Sequence, residues 1–253
     1  HPNMDTVAQS TIRAGRDVLV EDRAATQSRR SEAVAGVAEI FDYDSDLYFG
    51  LGDGVFKALS SMERLRRDSE TSPADRRTAF QAGIGFAVNA GVFALIEGLD
   101  GPSDVALAIN FFLNMGLDRN VIADRGALPK GRGLEIWDLG LKLGTRRDNA
   151  AGIIDLRQLR RLMTARAGDA PYGGARIVRS WILAAAQELA RPNLKPNQVA
   201  SEKRRQAALA AVEPVFLRIK AGEVIVRRGD RVTAAAWRRI GILNENAGGR
   251  RVW

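Results

Sequence analysis

The sequence predicts an α+β fold, mainly helical. Two pseudo-equivalent helix–strand units from the N- and C-terminal regions are expected to pack together, with a helical insertion between them and a C-terminal β-hairpin. Three observations predict it. First, Arg16–Asp44 lies on Arg191–Ile219 at a constant offset and without a gap, with nine of 29 positions identical, among them Arg29/Arg204, Arg30/Arg205, Val37/Val212 and Phe41/Phe216. Second, the residues between the copies are rich in apolar runs at helical length. Third, Glu223–Arg227 alternates in polarity and is followed by Gly229-Asp230, a turn pair. Two copies this far apart make no solenoid, which needs about three adjacent repeats.

Each copy reads as the same small unit. Asp22 or Asn197 can accept hydrogen bonds from the free N–H groups of a first helical turn. Helix-favouring residues follow, uninterrupted by Gly or Pro until Gly36 and Pro214. A β-like run then closes each copy: Ile40-Phe41-Asp42-Tyr43 and Val215-Phe216-Leu217-Arg218-Ile219. Residues 10–20 look extended and lead into a helix from about Asp22 to Ala38. The two ends of the chain should therefore fold together, with Val37, Phe41, Val212 and Phe216 buried.

In the insertion, Tyr48–Arg67 reads as a helix, and Ser72-Pro73-Ala74-Asp75 as a helix start with Pro in the first turn. Ala82–Ile96 is the most apolar stretch and is expected to be one buried central helix, too short for the roughly 18–20 residues that span a bilayer. Pro102–Gly116 is a second apolar helix, and Leu117–Asp124 has mixed character. Gly126–Gly133 is a loop, Leu134–Asp138 alternates like a strand, and Leu141–Arg147 returns as a hairpin arm. Ile153–Ala165 and Ala175–Ala190 are helical, separated by the breaker Asp169–Gly174. After the second copy comes the Lys220–Thr233 hairpin, and Thr233 caps a last helix. The expected organisation is one domain over residues 10–243: repeat units 16–44 and 191–219, insertion 45–190, and hairpin with helix 220–243.

Residue types exclude much chemistry. The chain has no cysteine and a single histidine, His1, so disulfides, thiolate catalysis, Ser-His-Asp triads and His- or Cys-ligated metals are not expected. The run Asp42-Tyr43-Asp44-Ser45-Asp46 begins like a calcium loop, but it lacks the central Gly, and position twelve is Asp53. No catalytic residues, metal or cofactor are predicted. A start of His-Pro-Asn-Met lacks the pattern of a signal peptide and reads as a piece of a longer chain. The net charge of +8 favours anionic partners in general. The arginine pairs sit at helical spacing beside acids, and no basic–aromatic alternation of the kind that stacks bases accompanies them.

The chain resembles the extracytoplasmic domain of the bacterial seven-transmembrane HD-phosphohydrolase receptors. The resemblance rests on Thr11-Ile12-Arg13-Ala14, Arg16-Asp17 and the helix Thr26–Val37, and on Phe41-Asp42-Tyr43-Asp44 against the family's VYDYD. Asn120…Arg125-Gly126, Gly133-Leu134-Glu135-Ile136 and Ile154-Asp155-Leu156 fit its NRG…GI…DL pattern more loosely. Arg191-Pro192-Asn193-Leu194 matches RPNL, and Lys220…Gly222-Glu223…Ile225-Val226-Arg227…Gly229…Val232-Thr233 matches KxGExIVRxGxxVT. Ala38-Glu39 stands where the family usually has a double proline.

The resemblance implies an extracytoplasmic (periplasmic) ligand-sensing input domain of an integral membrane protein. That protein would carry an N-terminal membrane helix, seven further membrane helices and a cytoplasmic HD domain, which in some members hydrolyses cyclic di-AMP. The adjacent His-Asp pair of the HD domain is absent, so the chain itself is expected not to be an enzyme. Expected partners are a small molecule or cell-envelope component, the protein's own membrane helices and a second copy, with no nucleic acid. The alternatives are a structural or assembly module of the same receptor, or a basic nucleic-acid-binding protein. For a ligand, the repeat's polar positions Arg30, Tyr43, Asn193 and Arg205 are the candidates, since arginine offers planar bidentate donors to carboxylate or phosphate.

Overall fold

The computed structural model describes residues 7–99, 103–131 and 133–246, so His1 and Pro102, the first residue of the expected Pro102–Gly116 helix, lie outside it. The chain begins with β1 (Ile12–Arg13), β2 (Val18–Glu21), α1 (Arg23–Ala35) and β3 (Glu39–Tyr43). Helices α2 (Leu47–Arg66), α3 (Pro73–Ile84), α4 (Ala90–Glu97) and α5 (Ser103–Leu117) follow. Then come β4 (Asn120–Ile122), β5 (Leu134–Asp138), β6 (Leu143–Arg147), β7 (Ile153–Asp155), α6 (Leu156–Ala165) and α7 (Arg176–Leu189). The last elements are β8 (Leu194–Pro196), α8 (Gln198–Ala210), β9 (Phe216–Ile219), β10 (Val224–Val226) and α9 (Ala234–Asn246). The class is α+β and mainly helical. The described residues form two compact units: a central one, Val37–Lys203, and a terminal one made of the residues up to Gly36 and those from Arg204 onward.

The repeat is visible as β2–α1–β3 and β8–α8–β9, with α1 and α8 occupying matched positions end to end. The copies exchange strands. In the terminal unit β2 pairs antiparallel with β9, and in the central unit β3 pairs antiparallel with β8. The registers are equivalent. Tyr43 opposite Leu194 corresponds to Arg218 opposite Leu19, and Asp42 opposite Lys195 corresponds to Leu217 opposite Val20.

The polar groups that start each helix also correspond. Asp22 Oδ1 accepts from Ala25 N–H (3.0 Å), and Asn197 Oδ1 accepts from Ala200 N–H (2.9 Å). The backbone N–H of Asp22 donates to the Val215 carbonyl, that of Asn197 to the Ile40 carbonyl, both at 2.8 Å. Asn197 is oriented further by its Nδ2, which donates to both carboxylate oxygens of Asp42 at 3.0 Å.

Apolar burial does not follow the repeat so closely. Phe41 is 1% exposed, because β3 lies inside a six-stranded mixed sheet of order β6-β5-β3-β8-β4-β7. Phe216, expected to be buried, is 59% exposed: β9 belongs to a two-stranded ribbon with β2 and has no such neighbours on both edges. Val37 and Val212 are both half-buried.

In the terminal unit, Ile12, Val226, Val232 and Ile240 form one small cluster, and Val18, Ile219 and Leu243 another. The expected C-terminal turn forms, with Gly229 at φ +88° and the Asp230 N–H donating to the Arg227 carbonyl (3.1 Å). Its arms bond to the N-terminal segment: Val224 and Val226 face Arg13 and Ile12, and Arg231 bridges to Val7. Thr233 Oγ1 caps α9 by accepting from Ala236 N–H (3.2 Å).

In the central unit the main core draws on α2, α3, α4, α5, α6 and α7, with Leu59, Phe80, Ile96, Ile109, Phe112 and Ile182 fully buried. The apolar run at Ala82–Ile96 is two helices rather than one. Gly85 ends α3 in the left-handed region (φ +82°), and Asn89 Oδ1 starts α4 by accepting from Gly91 N–H (2.8 Å). Two buried three-residue strands, β4 and β7, also fall where mixed or helical character was expected. β7 runs straight into α6 through a capping box between Asp155 and Gln158.

Candidate functional site

Four polar or charged side chains are buried among the described residues: Thr26, Asp155, Asn193 and Ser201. Asn193 sits at the head of β8 and holds the turn between α5 and β4. Its Oδ1 accepts from Val121 N–H (2.7 Å), and its Nδ2 donates to the carbonyls of Arg119 (2.9 Å) and Gly116 (3.3 Å). The Tyr43 hydroxyl, from β3, donates to the carbonyl of Leu117 in the same turn (3.1 Å). The Tyr48 hydroxyl donates to the Arg191 carbonyl (2.7 Å).

Both phenols are held as neutral donors. Burial, then the nearby carboxylates of Asp138, Asp118 and Asp44, raise the pKa of Tyr43 above its ordinary value. Burial raises that of Tyr48 much further, and contacts with Arg191 offset little of it. The Tyr48 ring lies against Gly116, where a Cβ would stand 2.3 Å from the ring, so only glycine permits this approach.

Leu117, whose carbonyl is thus fixed, also lines a cleft of about 460 Å³ between α2 and α5. Phe49 and Phe56 supply exposed aromatic surface, and Asp53, Asn110 and Asn114 supply polar groups. Asp53 pairs with Lys57 at 2.6 Å one helical turn on. Asn110 fits against Gly52: a Cβ there would stand 2.7 Å from its Oδ1, which is buried without a hydrogen-bond partner. A concave site of this size with an aromatic wall and a few carboxamides and a carboxylate suits a small molecule carrying an apolar face and hydrogen-bonding groups. Asn114 also lines a second cleft of about 380 Å³ on the α6 side of α5, with Arg119 and Arg166.

The structure brings Tyr43 and Asn193 together, at the 116–121 turn. Arg30 and Arg205 belong to the terminal unit, Arg30 on the exposed face of α1 and Arg205 half-buried on α8 with an interaction of its own. The cleft residues Phe49, Phe56, Asn110 and Asn114 were not anticipated. The signal for them is Gly52 in the interior of a helix, where a glycine costs about 1 kcal/mol relative to Ala and here admits the close approach of Asn110; Gly50 and Gly54 face open space. Among the described residues no group of three or more His, Asp or Glu is placed to hold a metal, and no helix is long and apolar enough to cross a membrane.

Residues 3–241 match the family described as 7TM-HD extracellular, and the chain belongs to that family. It is the extracellular domain of a seven-transmembrane membrane protein. No curated protein and no solved structure matches it.

Proposed function

We propose that the chain is the periplasmic input domain of an HD-phosphohydrolase receptor, taking a small ligand in the α2–α5 cleft. The observation that carries this reading is the tether at the cleft floor. Tyr43 and Asn193 fasten the turn after α5 to β3 and β8, the two strands exchanged between the repeat copies. β3 is preceded in the chain by α1, and β8 is followed by α8, so a shift of α5 on ligand binding reaches both connections to the terminal unit. The output in the whole receptor is a cytoplasmic HD domain acting on a cyclic dinucleotide, and this chain itself turns over no substrate. Arg30, exposed on α1 of the terminal unit, is a separate proposed contact for an anionic group and takes no part in the cleft.

A thermal-shift screen against cell-wall fragments, nucleotides and metabolites tests the reading, because a ligand bound only by the native state raises Tm. A compound that stabilises the chain and loses its effect in Phe49→Ala and Asn114→Ala supports it. If no compound stabilises the chain, or if the shift survives both substitutions, the cleft is not the site and the assembly-module reading takes its place.

A further inference from the structure

The β5–β6 hairpin, at the edge of the six-stranded sheet, ends in a tip that is ordered by polar atoms and surfaced with apolar ones. Asp138 Oδ1 accepts from the backbone N–H groups of Gly140 and Leu141 (both 2.9 Å) and from the Ser45 hydroxyl (3.0 Å). The Leu139 N–H donates to the Tyr43 carbonyl (2.9 Å), and Lys142 completes the reversal at φ +54°. None of this requires leucine. Yet Leu139, Leu141 and Leu143 are 56%, 75% and 61% exposed. Beside them Trp137 donates through Nε1 to Glu135 (2.7 Å), and its indole covers Gly144, where a Cβ would meet the ring at 2.9 Å. Single exposed leucines are ordinary. Three alternating at a rigid tip with an adjoining tryptophan form a patch of the kind that marks an interaction surface.

We propose that residues 139–143 dip into the bilayer that anchors the protein. The chain is the extracellular domain of a membrane protein, so a bilayer surface is held near it at high effective concentration. Leucines at the tip, an amphipathic tryptophan beside them and Lys142 in the reversal match the composition of interfacial anchors. The apolar groups enter the acyl boundary while the Lys142 ammonium stays with phosphate. A net charge of +8 adds attraction to anionic lipid. A second copy fits less well: four side chains fall well short of the roughly 800 Å² per partner that a stable dimer buries. Because the tip is already ordered, insertion adds little ordering entropy.

The proposal rests on the family and the hairpin, not on the α2–α5 cleft. Its test is co-sedimentation of the 253-residue chain with phosphatidylcholine vesicles and with mixed phosphatidylcholine–phosphatidylglycerol vesicles. Binding to both is expected, stronger to the mixed vesicles. The triple variant Leu139→Ser/Leu141→Ser/Leu143→Ser should lose about tenfold or more in partitioning at unchanged Tm. Should the triple variant unfold, Leu141→Ser alone should still weaken binding measurably. Wild-type binding by the variants overturns the proposal, as does adsorption to anionic vesicles only that high salt abolishes. A dimer in sedimentation velocity that the triple variant dissolves would assign the tip to a second copy instead, and also overturns it.

Discussion

Thr26 and Ser201, at matched positions of the two repeat copies, each accept a backbone N–H from the strand that closes the other copy. Thr26 Oγ1 accepts from Val215 (3.0 Å) and Ser201 Oγ from Ile40 (2.8 Å). Both hydroxyls are buried, so each replaces water for an amide that has none. The duplication is thus preserved in backbone register and in buried polar groups, where a change would orphan a hydrogen bond.

Ser201→Ala is expected to destabilise the chain by about 1–3 kcal/mol, the cost of leaving the Ile40 N–H buried and unpaired. Thr26→Val should do the same to the Val215 N–H. Ser201→Thr, which keeps the hydroxyl, should recover most of the loss in urea unfolding. A Ser201→Ala loss under about 0.5 kcal/mol would show that the bond contributes nothing net.

Phe41→Ala should cost about 3–5 kcal/mol, since it opens a cavity inside the six-stranded sheet. Phe216→Ala, at the equivalent repeat position on an exposed ribbon, should cost less than about 1 kcal/mol. Equal losses in denaturant melts would contradict the two environments described above.

Asn193→Ala removes one acceptor and one donor from the 116–121 turn and should cost about 2–4 kcal/mol. Asn193→Asp should be worse at neutral pH, because a carboxylate would face the Gly116 and Arg119 carbonyls. Chemical denaturation of both variants distinguishes the donor's role from mere side-chain volume. An Asp variant as stable as the wild type would show that the Asn193 Nδ2 donor does not hold the 116–121 turn.

The raised pKa of Tyr48 predicts a loss of stability in alkali. Folded, the phenol keeps its proton far above its ordinary range, whereas in the unfolded chain it ionises near about pH 10. Its contribution is therefore complete below that pH and falls as pH rises beyond it, because the unfolded state releases a proton that the folded state retains. Tyr43 should add to the same slope. Urea midpoints compared between neutral pH and pH above 10 should fall less in Tyr48→Phe than in the wild type, and identical slopes would argue against a buried neutral phenol.

Much of the scaffold was legible in the chain because local chemistry and tertiary structure agree there. Asp22, Asn197, Ser72 and Thr233 are capping residues followed by helix formers, and each caps a helix. The boundary at Gly85–Asn89 is hidden by the apolar run around it, although a glycine and an Asx residue four positions apart end one helix and start the next. β4 and β7 were missed because three buried residues carry no periodicity of their own; their strand character comes from pairing with each other and, for Ile122, with Leu194. Tyr43 and Asn193 stand out in the sequence as polar positions for a ligand, but sequence could not tell that their hydrogen bonds go to the turn after α5. The cleft depends on Gly52 meeting Asn110 across two helices far apart in the sequence, a match that no local pattern records.

The exchange of strands also sets an order of events during synthesis. The central unit is one continuous stretch, complete once β8 and the first turn of α8 have emerged. The terminal unit cannot close until β9, β10 and α9 follow, so β1, β2 and α1 must wait unpartnered while everything between is made. The earliest part of the domain to leave the ribosome is then the last to become protected. Limited proteolysis of nascent chains of increasing length should find the peptide bonds around Val18–Glu21 open to cleavage after the central unit has become resistant.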